Sequence, residues 1–133
     1  MALIAIPASS SVCSMRRCAL PARLVKADDT LCRLVTHHSC AVNEALNRNL
    51  FDAFTAEFDE ERPERVNALT YCDMTTGPDD THRDVSERLA EIHSRYGPEH
   101  LVSRSITAST PCILAAVKAV ESAMISSHRV GSP

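Results

Sequence analysis

Asp73 is the residue whose position asks for a chemical reason. Val66, Leu69 and Asp73 follow one another at spacings of three and then four, which sets the carboxylate on the helical face that carries the aliphatic side chains, pointing inward. An acid on an apolar face is costly unless it is hydrogen-bonded, protonated or bound to a cation. A divalent metal is one answer. A hydrogen bond to a neighbour such as Thr76, or a tilt into solvent, is another, and periodicity alone leaves these open. His37-His38-Ser39 is the second candidate. Leu34 and Val35 precede it on an inward face, so one ring is expected near the core. A neutral imidazole there can coordinate a divalent metal through one nitrogen, or it can donate to a carbonyl at a helix end. His82, His93, His100 and His128 read as surface or loop residues, and Cys72 as an inert thiol inside a helix.

Other chemistries lack their residues. There is no Gly-rich phosphate loop, no Gly-x-Ser-x-Gly elbow and no His-Glu-x-x-His helix. A net charge of −3 and the lack of basic stretches interleaved with aromatics give no nucleic-acid surface. No run is expected to reach transmembrane length, so no membrane is expected as a partner. None of the six cysteines is spaced from another as in a zinc knuckle or a thioredoxin-like site. The expectation is free buried thiols in a reducing cytoplasm. Ala2–Ile6 is apolar but too short for an export signal.

The elements that must position Asp73 and the histidines are helices. The 133 residues suffice for one core, 44% of them are hydrophobic, and only three are glycine. Phe51, Phe54, Phe58, Tyr71 and Tyr96 are its few large pieces. Asp28, Asp29 and Thr30 are candidate N-caps of a first helix with Leu31, Leu34, Val35 and His38 on one face. Two further helices are expected at about 41–48 and 50–58, with Asn47 and Asn49 marking the break. Acidic residues crowd 52–65 and read as a solvated face. Pro63 suits the first position of the helix that carries Asp73. Thr76-Gly77-Pro78-Asp79 ends it, with Gly77 a candidate for the left-handed cap.

Asp84-Val-Ser-Glu87 resembles a capping box, and Gly97-Pro98 stops the helix that it opens. A short helix is expected around Leu101–Ile106. Thr110 is then expected to cap a last helix that has Pro111 at its first position and Ile113, Leu114, Val117, Val120, Met124 and Ile125 on a broad apolar side. The sum is a compact all-α bundle of about six helices. The ordered domain is expected over 28–126. Residues 1–27, with four cations, no acid and a serine cluster, are expected to be poorly ordered, and 127–133 to fray.

Two segments resemble a known family. Leu34-Val-Thr-His-His-Ser39 and Ala68-Leu-Thr-Tyr-Cys-Asp73-Met-Thr-Thr-Gly-Pro-Asp79 look like the HD-domain proteins of the actinobacterial type. Those pair a Val-Ala-His-His-Ser helix end with an Ala-Asp-Met-Thr-Thr-Gly-Pro-Asp-Gly segment. The likeness continues through Glu87-Arg-Leu-Ala-Glu-Ile92, Arg95-Tyr-Gly-Pro-Glu-His100 and Leu114-Ala-Ala-Val117. It covers about residues 28–122.

The resemblance implies an all-α domain of the metal-dependent phosphohydrolase superfamily, with a divalent metal ion as cofactor and a phosphorylated small molecule or nucleotide as substrate. Asp73 matches the final aspartate of the family's metal site. His38 matches a late histidine of its extended versions, with His37 the second choice. The family's first histidine and its His-Asp doublet have no counterpart: no histidine precedes His37, and no His-Asp pair occurs. Asp79-Asp80 stands where the family has Asp-Gly. The doublet carboxylate holds the metal that activates water, so no catalytic residue is assigned. The expectation is an N-terminally truncated HD-like domain without hydrolysis. The alternatives are an active phosphohydrolase whose ligands are completed by another chain, and a non-enzymatic helical module that pairs with a partner or a second copy of itself through an exposed apolar face.

Overall fold

The structure, a computed structural model, describes residues 28–57, 59–77 and 79–130. The expectations placed on residues 1–27, Phe58, Pro78 and 131–133 lie outside these. The described residues form six α-helices with no strand among them: α1 Asp29–His37, α2 Val42–Asn47, α3 Phe51–Glu57, α4 Pro63–Thr75, α5 Val85–Tyr96 and α6 Leu101–Val130. A 3-10 turn, His38–Cys40, joins α1 to α2. The all-α expectation therefore holds.

Local chemistry explains most boundaries. The Asp28 carboxylate accepts the Thr30 N–H at the start of α1, and the Asp84 carboxylate accepts the Ser86 N–H at the start of α5, each satisfying an otherwise unpaired donor of a first turn. Pro63 is the first residue of α4. Asn49 takes a left-handed φ of 56° between α2 and α3. Asn47 stays helical instead of breaking the chain. Its side chain donates to Ser105 Oγ, as the Asn43 side chain donates to Ser109 Oγ, so two residues four apart on α2 meet two residues four apart on α6. Gly97, with a φ of 79°, ends α5.

The expectation of a break in the last helix is corrected. Leu101–Val130 is one helix of 30 residues, with Pro111 inside it. Pro111 lacks the N–H that would bond to the carbonyl four residues earlier, yet α6 is anchored on both sides of it. Before the proline, Ser105 and Ser109 engage α2. After it, Cys112 is bonded to Cys40, and Ile113 is fully buried. The Thr110 hydroxyl turns back to the Ile106 carbonyl and caps nothing. The helix runs through Val130, into the segment expected to fray. The stretch Leu101–His128 is also long and apolar enough to cross a membrane by length and composition, contrary to expectation. Here its first half is the central helix of the bundle.

Two apolar clusters hold the bundle. Cys40, Met74, Leu89 and Ile113 form one, with Val85, Ile92 and Ile106 packed against it. Ala41, Ala45 and Phe54 form the other, with Val42 alongside. Burying Met74 or Ile113 contributes about 2–3 kcal/mol each. The thiol expectation is corrected too: Cys40 and Cys112 form a disulfide across 72 residues, with Cα atoms 6.4 Å apart, inside the range such a bond spans without backbone movement. Closing a loop of that length stabilises by roughly 4 kcal/mol in the chain-entropy account.

Candidate functional site

The site begins with the phase of two helices. On α1 the buried residues are Cys32 and Thr36, while Leu31 is 49% exposed. The helix is therefore turned about one residue from the expected face, and short side chains lie inward. On α4 the buried residues are Thr70, Met74 and Thr75. Asp73 is not among them: its side chain is 41% exposed. The expectation that it points into the core is corrected, because the core-facing row runs through Thr70 and Met74 and leaves Asp73 at the margin. Cys72 is exposed, not enclosed in a helix interior.

The turn after α1 brings the other residues to Asp73. Ser39 has φ 54° and Cys40 φ 56°, two consecutive left-handed residues that carry side chains. L-residues adopt that region only where surroundings hold them. Here α4 holds them through Thr70 Oγ1, which accepts the Ser39 N–H at 2.8 Å, and α6 through Ser109, whose hydroxyl donates to the Cys40 carbonyl at 3.1 Å. The turn aims Ser39 Oγ at Asp73 Oδ2, to which it donates at 2.8 Å.

His38 completes the group. Its Nδ1 lies 2.7 Å from the Val35 carbonyl. A carbonyl only accepts, so Nδ1 carries the proton. In the neutral ring Nε2 then carries the lone pair, and it faces Asp73 Oδ2 at 3.9 Å. A ring latched through one N–H to a carbonyl, with the other nitrogen left to coordinate, is the arrangement metal-binding histidines use. It also satisfies the carbonyl bond that the sequence left as the alternative. His37 points elsewhere, its ring edge against Phe54 with centroids 4.9 Å apart. The structure thus brings His38 and Asp73 together and leaves His37 outside the group.

The donor set is short for a catalytic metal. Among the described residues no three of His, Cys, Asp and Glu converge where they could hold an ion. Zinc sites that catalyse hydrolysis use three protein ligands and keep one position open for water. One imidazole nitrogen and one carboxylate, with an oxygen already engaged by Ser39, fit half of such a site. No hydrolytic step follows from them.

A cleft of about 450 Å³ opens on the other side of Asp73, lined also by Cys72, Arg83, Glu87, Arg88, Glu91 and Arg95. Arg88 and Arg95 both bond to the Glu91 carboxylate, and the Arg88 Nε is buried with no protein partner. Arginine at 88 and 95 with glutamate at 91 repeats at helical spacing on α5. That signal is legible in the sequence but does not by itself point toward Asp73. Three guanidinium groups against Asp73, Glu87 and Glu91 leave the cleft balanced in charge.

The loop that closes the cleft is tightly made. Gly77 N–H bonds to the Thr81 carbonyl and Arg83 N–H to the Thr75 carbonyl. Asp80, at φ 57°, takes the left-handed position expected of Gly77. A Cβ at Gly77 would meet the Arg83 guanidinium and the Asp79 carboxylate, the ends of two flexible side chains that would have to shift. Asp79 is held below the usual carboxylate range by the Thr81 hydroxyl first, with its own backbone N–H and the Arg83 charge adding. Asp84 is lowered by the Ser86 backbone N–H that it caps.

No protein-family model matches the chain, no curated protein matches it, and no solved structure matches its fold.

Proposed function

We propose that this chain is an HD-type phosphohydrolase domain with an incomplete metal-ligand set. It keeps two metal-ligand positions, His38 and Asp73, and does not hydrolyse phosphate esters by itself. One observation carries this reading: His38, latched through Nδ1 to Val35, presents Nε2 to Asp73 Oδ2 at 3.9 Å, with no third ligand among the described residues. The loop adds support. Asp80 has a left-handed φ of 57°, at the position where the resembling proteins carry the glycine such a φ favours. The class of molecule concerned is a phosphorylated small molecule or nucleotide, and the metal is a divalent ion held weakly.

Hydrolysis of p-nitrophenyl phosphate, with and without Mn2+, tests this. The expected result is no turnover above that of the metal alone. Metal-dependent turnover abolished by Asp73→Asn overturns the reading. A second reading, in which another chain completes the site, is favoured by the arginine-lined cleft that opens beside Asp73. Turnover that appears only as protein concentration rises, and disappears in Arg88→Ala, selects it.

A further inference from the structure

We propose that the Cys40–Cys112 disulfide is a redox latch on the His38–Ser39–Asp73 group, holding it assembled when oxidised and releasing it when reduced. This rests on reading that group as the cation-binding site. Cys40 directly follows Ser39, whose hydroxyl and N–H reach Asp73 and Thr70. Both residues sit at left-handed φ, 54° and 56°, which non-glycine residues leave when nothing holds them. On the Cys40 side the turn is held by the disulfide to α6, by hydrogen bonds from Ser109 Oγ to the Cys40 carbonyl and from the Ala41 N–H to the His38 carbonyl, and by packing of Cys40 against Met74, Leu89 and Ile113. Without the disulfide, the strained pair loses its one covalent restraint and is left to these hydrogen bonds, to the Ser39 bonds with Thr70 and Asp73, and to the packing of Cys40. The turn then relaxes toward right-handed or extended geometry. Ser39 Oγ leaves Asp73, and the His38 ring, one residue earlier, leaves with it.

The bond is open to attack. Cys112 lies on an exposed position of α6, and both sulfur-bearing residues line an open groove of about 620 Å³ beside Phe51, Phe54 and Val66. The reductant is a dithiol. Its thiolate attacks Cys112 Sγ, the sulfur–sulfur bond breaks, and Cys40 leaves as a thiolate that takes up a proton. The second thiol of the reductant then attacks the mixed disulfide and releases Cys112, which is protonated in turn. The protein gains two electrons and two protons. The dithiol loses the same and ends as a disulfide.

The test uses the full chain with Cys72→Ser, which removes the free exposed thiol among the described residues, either oxidised or reduced with dithiothreitol and desalted without oxygen. Three measurements are made: peptide mapping of disulfides, hydrogen exchange of the Ser39 amide by NMR, and Mn2+ affinity. Oxidised protein is expected to show the Cys40–Cys112 linkage. Reduction is expected to speed Ser39 exchange about tenfold or more and to weaken Mn2+ binding by a similar factor. Cys112→Ser, checked for helicity, is expected to match the reduced protein and to ignore dithiothreitol. Absence of the linkage, a Ser39 exchange rate that reduction does not change, or measurable Mn2+ binding of equal affinity in the two states overturns the latch. If neither state binds Mn2+ while Ser39 exchange still follows the disulfide, the cation-site reading fails and the latch stands.

Discussion

Asp73 Oδ2 has two claimants, the Ser39 hydroxyl at 2.8 Å and the His38 Nε2 at 3.9 Å. A hydroxyl donating to a carboxylate contributes roughly 1.5 kcal/mol, and it occupies the oxygen that a cation would share with His38. Ser39→Ala is therefore expected to lower stability by about 1 kcal/mol in urea unfolding while leaving Mn2+ affinity equal or tighter. At Asp80 the left-handed φ of 57° carries a cost that glycine does not; Asp80→Gly is expected to raise stability by roughly 1 kcal/mol, read as a higher urea midpoint. His38 and Asp73 were both legible as candidates in the sequence. The exposure of Asp73 was not. Spacing by three and four names a face, but where the core ends on that face depends on which residues of neighbouring helices meet it, here Met74 against Leu89 and Ile113.

The helices teach the same lesson through their ends. The starts at Asp28, Pro63 and Asp84 and the stop at Gly97 were readable, because each is settled by one residue and a few neighbouring backbone groups. Pro111 was misread because its neighbours in space outweigh its local preference: α2 and the Cys40 turn grip α6 on either side of it. Pro111→Ala restores a hydrogen-bond donor inside a helix and removes a ring clash, so it is expected to stabilise by about 1–3 kcal/mol in thermal unfolding. A true helix start at Pro111 would give no such gain. The cap of α5 has a pH signature. The Asp84 pKa is lowered in the folded state by the Ser86 N–H, so its contribution is present above the unfolded value and is lost as pH falls through the folded one. Unfolding free energy is expected to drop on acidification below roughly pH 4, with a smaller drop in Asp84→Ala.

At the scale of the molecule, the all-α architecture followed from periodicity and punctuation. Two features that join distant segments did not. The Cys40–Cys112 bond spans 72 residues with no local signature, and the cleft beside Asp73 forms only when α5 lies against the loop after α4. The far end of α6 leaves Met124 and Ile125 48% and 58% exposed, on the side of the helix that was expected to be apolar and inward. The central claim is that His38 and Asp73, and not His37, are the ligand positions this chain keeps. Calorimetric titration of oxidised protein with Mn2+ tests it most directly, comparing wild type with His38→Ala, Asp73→Asn and His37→Ala. Weak binding is expected that falls roughly tenfold or more in the first two variants and is unchanged in the third. Binding lost in His37→Ala and kept in His38→Ala, or no Mn2+ binding to the wild type at all, contradicts it.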